Sequence, residues 1–163
     1  MKSDLFDKID VRILSLLQAD AKLPVADLAR DVGLSVSACW RRIKQMEEAG
    51  VIIDHVTRLN EEALGLDFIV FAVVKLIMPD QKNLATFEKA ILAWPEVMDC
   101  HTITGAVDYM LRIITTDIHA YDRFLRGKLL ALGIVSDVQS RIVVTKIKQS
   151  TSLPLDLMPV KTR

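Results

Sequence analysis

The stretch from Leu23 to Ile52 contains two short helical patterns separated by a single glycine, Gly33. The pattern before the glycine buries one apolar stripe, and small Ala29 within it suits a close crossing of two helices. The pattern after it places four apolar residues at helical spacing: Val36, Cys39, Ile43 and Met46. An amphipathic stretch over Asp7 to Leu17 supplies the cover that both stripes need. We therefore expect three small helices, the last two joined by a tight turn.

The side of the last helix opposite its apolar stripe is cationic and polar. It carries three basic residues with no acidic residue before Glu47. Lys and Arg anchor phosphates, and Ser, Arg and Gln contact base edges in the major groove. The predicted DNA-contacting residues are Ser35, Ser37, Ala38, Arg41, Arg42, Lys44, Gln45 and Arg58. The alternative is that the arginines are solvated charges on an ordinary amphipathic helix.

The segment after this helix, Val51 to Arg58, is rich in β-branched residues and predicts a short wing strand. Trp40 lies beside the apolar stripe, and we expect it to pack against this wing, with stacking on a DNA sugar as the alternative. Residues 1–60 are thus predicted to form a winged helix-turn-helix domain that binds double-stranded DNA.

The charge balance excludes a nonspecific, strongly basic coat on DNA, because 21 Lys and Arg face 21 Asp and Glu. No run of 18 apolar residues exists, and Met1 to Asp10 lacks the apolar segment of a signal peptide. A cytoplasmic protein with no membrane partner is expected. Cys39 and Cys100 have no second thiol or histidine at ligand spacing, which predicts neither a disulfide nor a metal site.

The periodicity changes from helical to strand-like at Phe68. The predicted elements are, in order, a strand over Phe68 to Met78, a helix capped by Asp80, strands over Val97 to Ile103 and Asp108 to Thr115, a helix capped by Asp117, and a strand over Val135 to Lys148. This order is the ferredoxin-like βαββαβ arrangement, with both helices on one face of a four-stranded sheet. Residues 61–163 are predicted to form this second domain, so the fold class is α+β.

The first strand of this domain is apolar on both faces, whereas helices can cover only one of them. A second copy of the chain is the economical cover for the other face, which predicts a homodimer. A two-fold axis would then place two DNA-contacting helices on neighbouring half-sites of a palindrome.

The segment SACWRRIKQMEEAGVI, the turn TGAVDY and the closing IVVTKIK followed by STSLP resemble the Lrp/AsnC family of bacterial and archaeal feast/famine transcription regulators. The resemblance covers nearly the whole chain. It implies a sequence-specific regulator whose C-terminal, RAM-type domain dimerises. It also implies that dimers assemble into octamers and that an amino acid bound between dimers tunes DNA binding.

The ligand-site signature of that family, Gly-x-x-Asp in the hairpin between the second and third strands, falls on Gly105 and Asp108. The effector-binding residues that the resemblance implies are Thr104, Gly105, Ala106, Val107, Asp108, Asp137, Gln139 and Ser140. Turn N–H groups can hold a carboxylate, and Asp108 can hold an ammonium group or tether the loop. The alternative is that Gly105 only supplies a positive φ and Asp108 caps the hairpin. The stretch SDVQS with the STSLP tail resembles the branch that responds to cysteine, or to leucine and methionine.

Two other function classes remain open at this point. One is an architectural DNA-binding protein without an effector. The other is a small ferredoxin-like dimeric enzyme, for which His101, Asp99 and Asp108 are candidate acid–base groups. No nucleophile–base pair or cofactor motif is visible, so we predict no enzymatic activity and no cofactor other than an amino-acid effector.

Overall fold

The computed structural model describes residues 6–158. They form two compact units, one comprising the chain up to Thr57 together with the segment from Lys148, and the other comprising Arg58–Ile147. The boundary predicted at residue 60 lies close to Arg58, where the chain passes from the first unit to the second. The tail from Lys148, predicted to belong to the second domain, packs with the first unit instead. No helix in this part of the chain is long and apolar enough to cross a membrane.

The described part of the first unit contains helices α1 (Lys8–Ala19), α2 (Val25–Val32) and α3 (Val36–Glu48). Gly33 ends α2 at a φ of 69°, a left-handed conformation that glycine adopts without a Cβ clash. Ser35 then caps α3, because its Oγ accepts the N–H of Ala38 at 3.2 Å. The helix pair and its turn therefore form where the spacing predicted them.

The core of the first unit lies between these helices. Its buried residues are Ile13, Leu14, Leu28, Ala29, Cys39, Ile43 and Met46. Val36, predicted to face this core, is 52% exposed because it is the first residue of α3. The tail contributes Leu155, which packs against the cluster from a short 3-10 helix at Leu155–Leu157. This contact explains why the tail belongs to the first unit.

The wing strand predicted over Val51 to Arg58 does not form, since residues 53–60 have no regular structure. A strand needs a neighbour for its backbone hydrogen bonds, and the described part of the first unit contains no other strand. Trp40 consequently has no wing to pack against and is 53% exposed.

The second unit follows the predicted order of elements. It contains β1 (Phe68–Leu76), α4 (Gln81–Leu92), β2 (Val97–Thr102), β3 (Tyr109–Thr115), α5 (Ile118–Phe124) and β4 (Val135–Ile142). The four strands pair antiparallel in the order β2-β3-β1-β4, which confirms the ferredoxin-like arrangement and the α+β class. A π-helical turn at Leu125–Leu129 continues α5. The strand β4 was predicted to extend to Lys148 but ends at Ile142. The pair of Ile142 with Val70 is the last one between β4 and β1.

One face of the sheet is covered by the helices. Its core residues are Val70, Ala72, Val74, Leu76, Tyr109, Leu111 and Ile113 on the strands, with Phe87, Ile91, Tyr121, Phe124 and Leu129 from the helical segments. The register places the alternate residues of each strand on the other side, which we call the open face.

The open face is less uniformly apolar than β1 alone predicts. Its apolar residues are Ile69, Phe71, Val73, Met110 and Ile114, and its polar residues are Lys75, Asp99, His101, Arg112, Asp137, Gln139 and Arg141. Phe71 is 38% exposed, whereas Ile69 and Ile114 are already buried within the chain. The apolar part is therefore a small patch around Phe71, with Arg112 on β3 and Arg141 on β4 directly opposite Phe71.

Candidate nucleic-acid interface and effector site

The helix α3 presents one exposed side that we call the exposed α3 face. It consists of five exposed residues: Ser37, Trp40, Arg41, Lys44 and Gln45. Residues three or four positions apart lie on the same side of a helix, which places these five side by side. Ser35 lies at its beginning as the cap, and Ala38 is half-buried beside it. The structure thus brings most of the predicted DNA-contacting residues onto one surface.

The charges on this face differ in how strongly they are already paired. Lys44 donates to Glu47 at 2.5 Å, and its ammonium lies 5.9 Å from the centre of the Trp40 ring. Among the described residues, Arg41 forms no ion pair. The guanidinium of Arg41 is therefore the cation on this face that a phosphate or a guanine edge can engage without breaking an existing bond.

Arg42 does not join the exposed α3 face, contrary to the sequence prediction. Its Nη1 donates to Asp7 Oδ2 at 3.0 Å and to Asp10 Oδ1 at 2.7 Å, and its side chain is 28% exposed. The hydrogen bond with Asp10 raises the pKa of the Arg42 guanidinium. Position 42 lies between the exposed and buried sides of α3, so its long side chain reaches α1 rather than solvent.

Arg58 belongs to the other unit of the chain. It is exposed, but it is the first residue of the second unit and lies in the irregular segment that replaces the predicted wing. Trp40 is the residue that sequence reasoning assigned to packing and that the structure exposes. Its position three residues after Ser37 and four before Lys44 was the signal for this placement.

The hairpin between β2 and β3 carries the predicted effector residues. Thr104, Gly105 and Ala106 are exposed, and Gly105 has a φ of 121°, which side-chain-bearing residues rarely adopt. Val107 and Asp108 are half-buried behind them. The tip of the hairpin is thus accessible, while its base is held in the fold.

Asp108 attaches this hairpin to the end of β1. Its Oδ2 accepts the N–H of Leu76 at 2.7 Å, and its own N–H donates to the carbonyl of Val74 at 3.0 Å. Its Oδ1 has no hydrogen-bond partner among residues 6–158. The carboxylate therefore tethers the loop with one oxygen, while the other has no donor among the described residues.

The three predicted residues on β4 do not share one surface. Asp137 and Gln139 lie on the open face, where Gln139 Nε2 donates to Asp137 Oδ2 at 3.3 Å. Ser140 lies on the helix-covered face, and its hydroxyl is hydrogen-bonded to that of Tyr121. The register pairs Asp137 with Lys75, one residue before the Leu76 that Asp108 holds. Asp137 and the hairpin base thus lie at the same end of the sheet, separated by roughly 10 Å or two strand spacings.

The base of the hairpin also has a partly buried polar contact that sequence reasoning missed. The Tyr109 hydroxyl donates to Glu88 Oε1 at 3.0 Å, and its ring packs on Phe87 with centroids 4.4 Å apart. Burial, together with the hydrogen bond to the Glu88 carboxylate, raises the pKa of Tyr109 to about 12. This contact anchors the first residue of β3 to α4.

These features define a class of protein: a DNA-binding regulator that joins a helix-turn-helix unit to a ferredoxin-like ligand-binding unit. Comparison with known families agrees. The Lrp/AsnC ligand binding domain matches residues 69–153, and a winged helix-turn-helix DNA-binding domain matches residues 6–53. The chain belongs to the Lrp/AsnC family of transcription regulators.

Individual relatives support the same assignment over almost the full length. The proline dehydrogenase transcriptional activator of Rhizobium radiobacter is 38% identical over 91% of this chain and 96% of its own length. The transcriptional regulator AzlB of Bacillus subtilis is 34% identical over 94% of this chain and 98% of its own.

A solved structure of a Neisseria meningitidis transcriptional regulator in complex with L-Met is 36% identical, covers 93% of this chain and 97% of its own, and superposes with a TM-score of 0.89. The chain is thus a transcription regulator with a helix-turn-helix DNA-binding domain and an Lrp/AsnC ligand binding domain. The relatives are regulators rather than enzymes, which confirms the prediction that this chain is not an enzyme.

Proposed function

We propose that the exposed α3 face enters the major groove of an operator and that an amino acid held at the β2–β3 hairpin controls this binding. The observation that carries the proposal is the exposed guanidinium of Arg41, which forms no ion pair within residues 6–158 and lies among Ser37, Lys44 and Gln45. Cations of this kind neutralise phosphates, and the polar side chains beside them contact base edges. The compartment in which this activity fits is the cytoplasm.

The hairpin has chemistry that suits an α-amino acid. Backbone N–H groups around the exposed Gly105 can donate to a carboxylate, and the Oδ1 of Asp108, which has no donor in the described part of the chain, can accept from an ammonium group. Asp137 and Gln139 add polar groups at the same end of the sheet. Because the Neisseria relative was solved with L-Met, methionine is the first candidate effector, followed by leucine and cysteine.

The open face supports a homodimer. Among the described residues of one chain, Phe71 is 38% exposed and Val73 and Met110 beside it are half-buried, so this apolar patch stays partly open. A two-fold axis through the patch pairs it with itself and doubles the number of α3 helices available to a palindromic site. Assembly of four such dimers into an octamer, with the effector between dimers, completes the proposal.

Operator binding is tested with the Arg41→Gln variant and a matched control, Arg30→Gln. Arg30 is exposed on α2 and already paired with Asp27 at 2.8 Å. Fluorescence anisotropy on promoter fragments at several salt concentrations should show weaker binding by Arg41→Gln, by about 1–3 kcal/mol for a base contact, or a salt slope reduced by about one for a phosphate contact. The control should match the wild type. Wild-type affinity and slope in Arg41→Gln would remove α3 from the interface.

The effector is tested by a thermal-shift screen of the standard amino acids, followed by operator binding in their presence. We expect an amino acid to raise the melting temperature, by the mass action of binding to the folded state, and to change operator affinity. The second candidate function, an architectural DNA-binding protein, is favoured only if DNA is bound and no amino acid has either effect.

A further inference from the structure

The side chain of Arg42 completes a closed hydrogen-bond network at the beginning of α1. Asp7 caps α1 and accepts the N–H groups of Ile9 and Asp10 with Oδ1, at 2.8 and 3.0 Å. Asp10 returns the contact, because its Oδ2 accepts the N–H of Asp7 at 3.0 Å. This reciprocal pair is a capping box built from two aspartates.

Two carboxylate oxygens take no part in that capping box, and both accept a hydrogen bond from Arg42. Its Nη1 donates to Asp7 Oδ2 at 3.0 Å and to Asp10 Oδ1 at 2.7 Å. All four carboxylate oxygens of the two aspartates therefore have a donor. One guanidinium on α3 is the only described cation that faces these two negative charges on α1.

Burial makes this link difficult to exchange for a phosphate. The Asp10 side chain is 10% exposed, so its charge would be left without solvent or a partner if Arg42 turned toward DNA. The two carboxylates beside the guanidinium would also repel an approaching phosphate. The neighbouring Arg41 has neither restriction, because it is exposed and unpaired in the described chain.

The link joins α1 and α3 through hydrogen bonds between specific donor and acceptor atoms. The buried side of α3 is made by Cys39, Ile43 and Met46, whose apolar packing has no directional bonds. An ion pair with fixed donor and acceptor atoms is directional, and it selects one rotation of α3 about its axis. That rotation decides where Arg41 points.

We propose that Arg42 is a positioning residue for DNA binding: through Asp7 and Asp10 it holds α3 in the orientation that presents the exposed α3 face to the operator. This inference rests on the proposed function, since operator binding is its readout. The adjacent arginines then have separate roles, with Arg41 contacting DNA and Arg42 orienting the helix that carries it.

The decisive variant is Asp10→Asn, which keeps the side-chain volume and removes a negative charge from the DNA-binding unit. Electrostatics alone would make this variant bind DNA more tightly. The positioning role requires weaker binding, on the order of tenfold, because the amide holds Arg42 less firmly. The matched control is Asp31→Asn on the exposed side of α2, where loss of a charge should leave operator affinity unchanged or slightly higher.

A double-mutant cycle with Arg42→Gln completes the experiment, with circular dichroism confirming that each variant is folded at the assay temperature. We expect Arg42→Gln to weaken operator binding without changing the salt slope, and the double variant to bind no worse than Arg42→Gln alone. Tighter binding by Asp10→Asn, or a salt slope reduced by about one in Arg42→Gln with independent effects in the cycle, would overturn the proposal. If the wild type itself fails to bind operator fragments, the proposed function fails instead.

Discussion

Substitution of Asp108 separates the two tasks that its carboxylate can perform. Its Oδ2 accepts the N–H of Leu76 at 2.7 Å, and its Oδ1 has no partner in the described chain. Asp108→Ala removes both oxygens. Asp108→Asn keeps an oxygen that can accept the N–H of Leu76 but removes the charge that an ammonium group would need. The alanine variant therefore tests the tether, and the asparagine variant tests the ligand contact.

The size of the effect follows from the burial of the donor. Leu76 is 2% exposed, so its N–H finds no water when the carboxylate is removed. An unsatisfied buried donor costs about 1–3 kcal/mol. A loss of about 2 kcal/mol lowers the melting temperature of a domain of this size by roughly 8–16 °C. Asp108→Asn should cost about 1 kcal/mol, because a neutral acceptor replaces a charged one.

The assay combines urea unfolding with amino-acid titration of the folded variants. Asp108→Ala should lose both stability and the effector response, whereas Asp108→Asn should recover most of the stability and still fail to respond. A full response in Asp108→Asn would show that Asp108 is a backbone tether and that the ligand ammonium is held elsewhere. Unchanged stability in Asp108→Ala would refute the reasoning about the Leu76 hydrogen bond.

Three further predictions concern the dimer, the hairpin and acid stability. Phe71→Arg places a charge in the open-face patch and should yield monomers in sedimentation experiments, whereas dimers with wild-type affinity would exclude this face as the interface. Gly105→Ala should lower stability by about 1 kcal/mol or more in urea unfolding because of the positive φ, and a neutral result would mean that the turn relaxes. Burial acts to raise the pKa of Asp7, but hydrogen bonds from the Asp10 N–H and Arg42 outweigh it, so the pKa lies below its usual value. The contribution of Asp7 to the free energy of unfolding is therefore present above about pH 4 and is lost as the pH falls through the lowered pKa. Between about pH 5 and 2, the free energy of unfolding of Asp7→Asn should fall less than that of the wild type. Equal falls in the two proteins would contradict this.

The sequence predicted the elements best where a single periodic pattern determines them. The stripe of Cys39, Ile43 and Met46 is a local pattern that placed its residues in the core, whereas the alternation of β1 predicted two apolar faces without deciding which one the helices cover. The order of elements in the second unit followed, because few topologies satisfy that succession of strands and helices.

The failures concern residues whose state depends on a distant partner. Helical spacing locates Arg42 near the exposed side of α3, but it does not reveal that Asp7 and Asp10 lie within reach, 35 and 32 residues earlier in the chain. The β-branched residues after α3 satisfy strand propensity, yet no neighbouring strand exists among the described residues to receive their hydrogen bonds.

The residues on β4 illustrate a different limit. Simple alternation already separates Ser140 from Gln139, because successive strand residues point to opposite faces. The resemblance to a family placed them in one set, and the structure shows Ser140 hydrogen-bonded to Tyr121 on the helix-covered side.

The return of the tail to the first unit has a consequence for how the protein is made. The amide of Gln18 on α1 forms two hydrogen bonds with the backbone of Leu153, at 2.7 and 3.3 Å, across a separation of 135 residues. At a ribosomal rate of about 5–20 residues per second, Leu153 is synthesised roughly ten seconds after α1. The DNA-binding unit is therefore completed only after the whole ligand-binding unit has been synthesised. A chain whose synthesis stops late has an incomplete first unit.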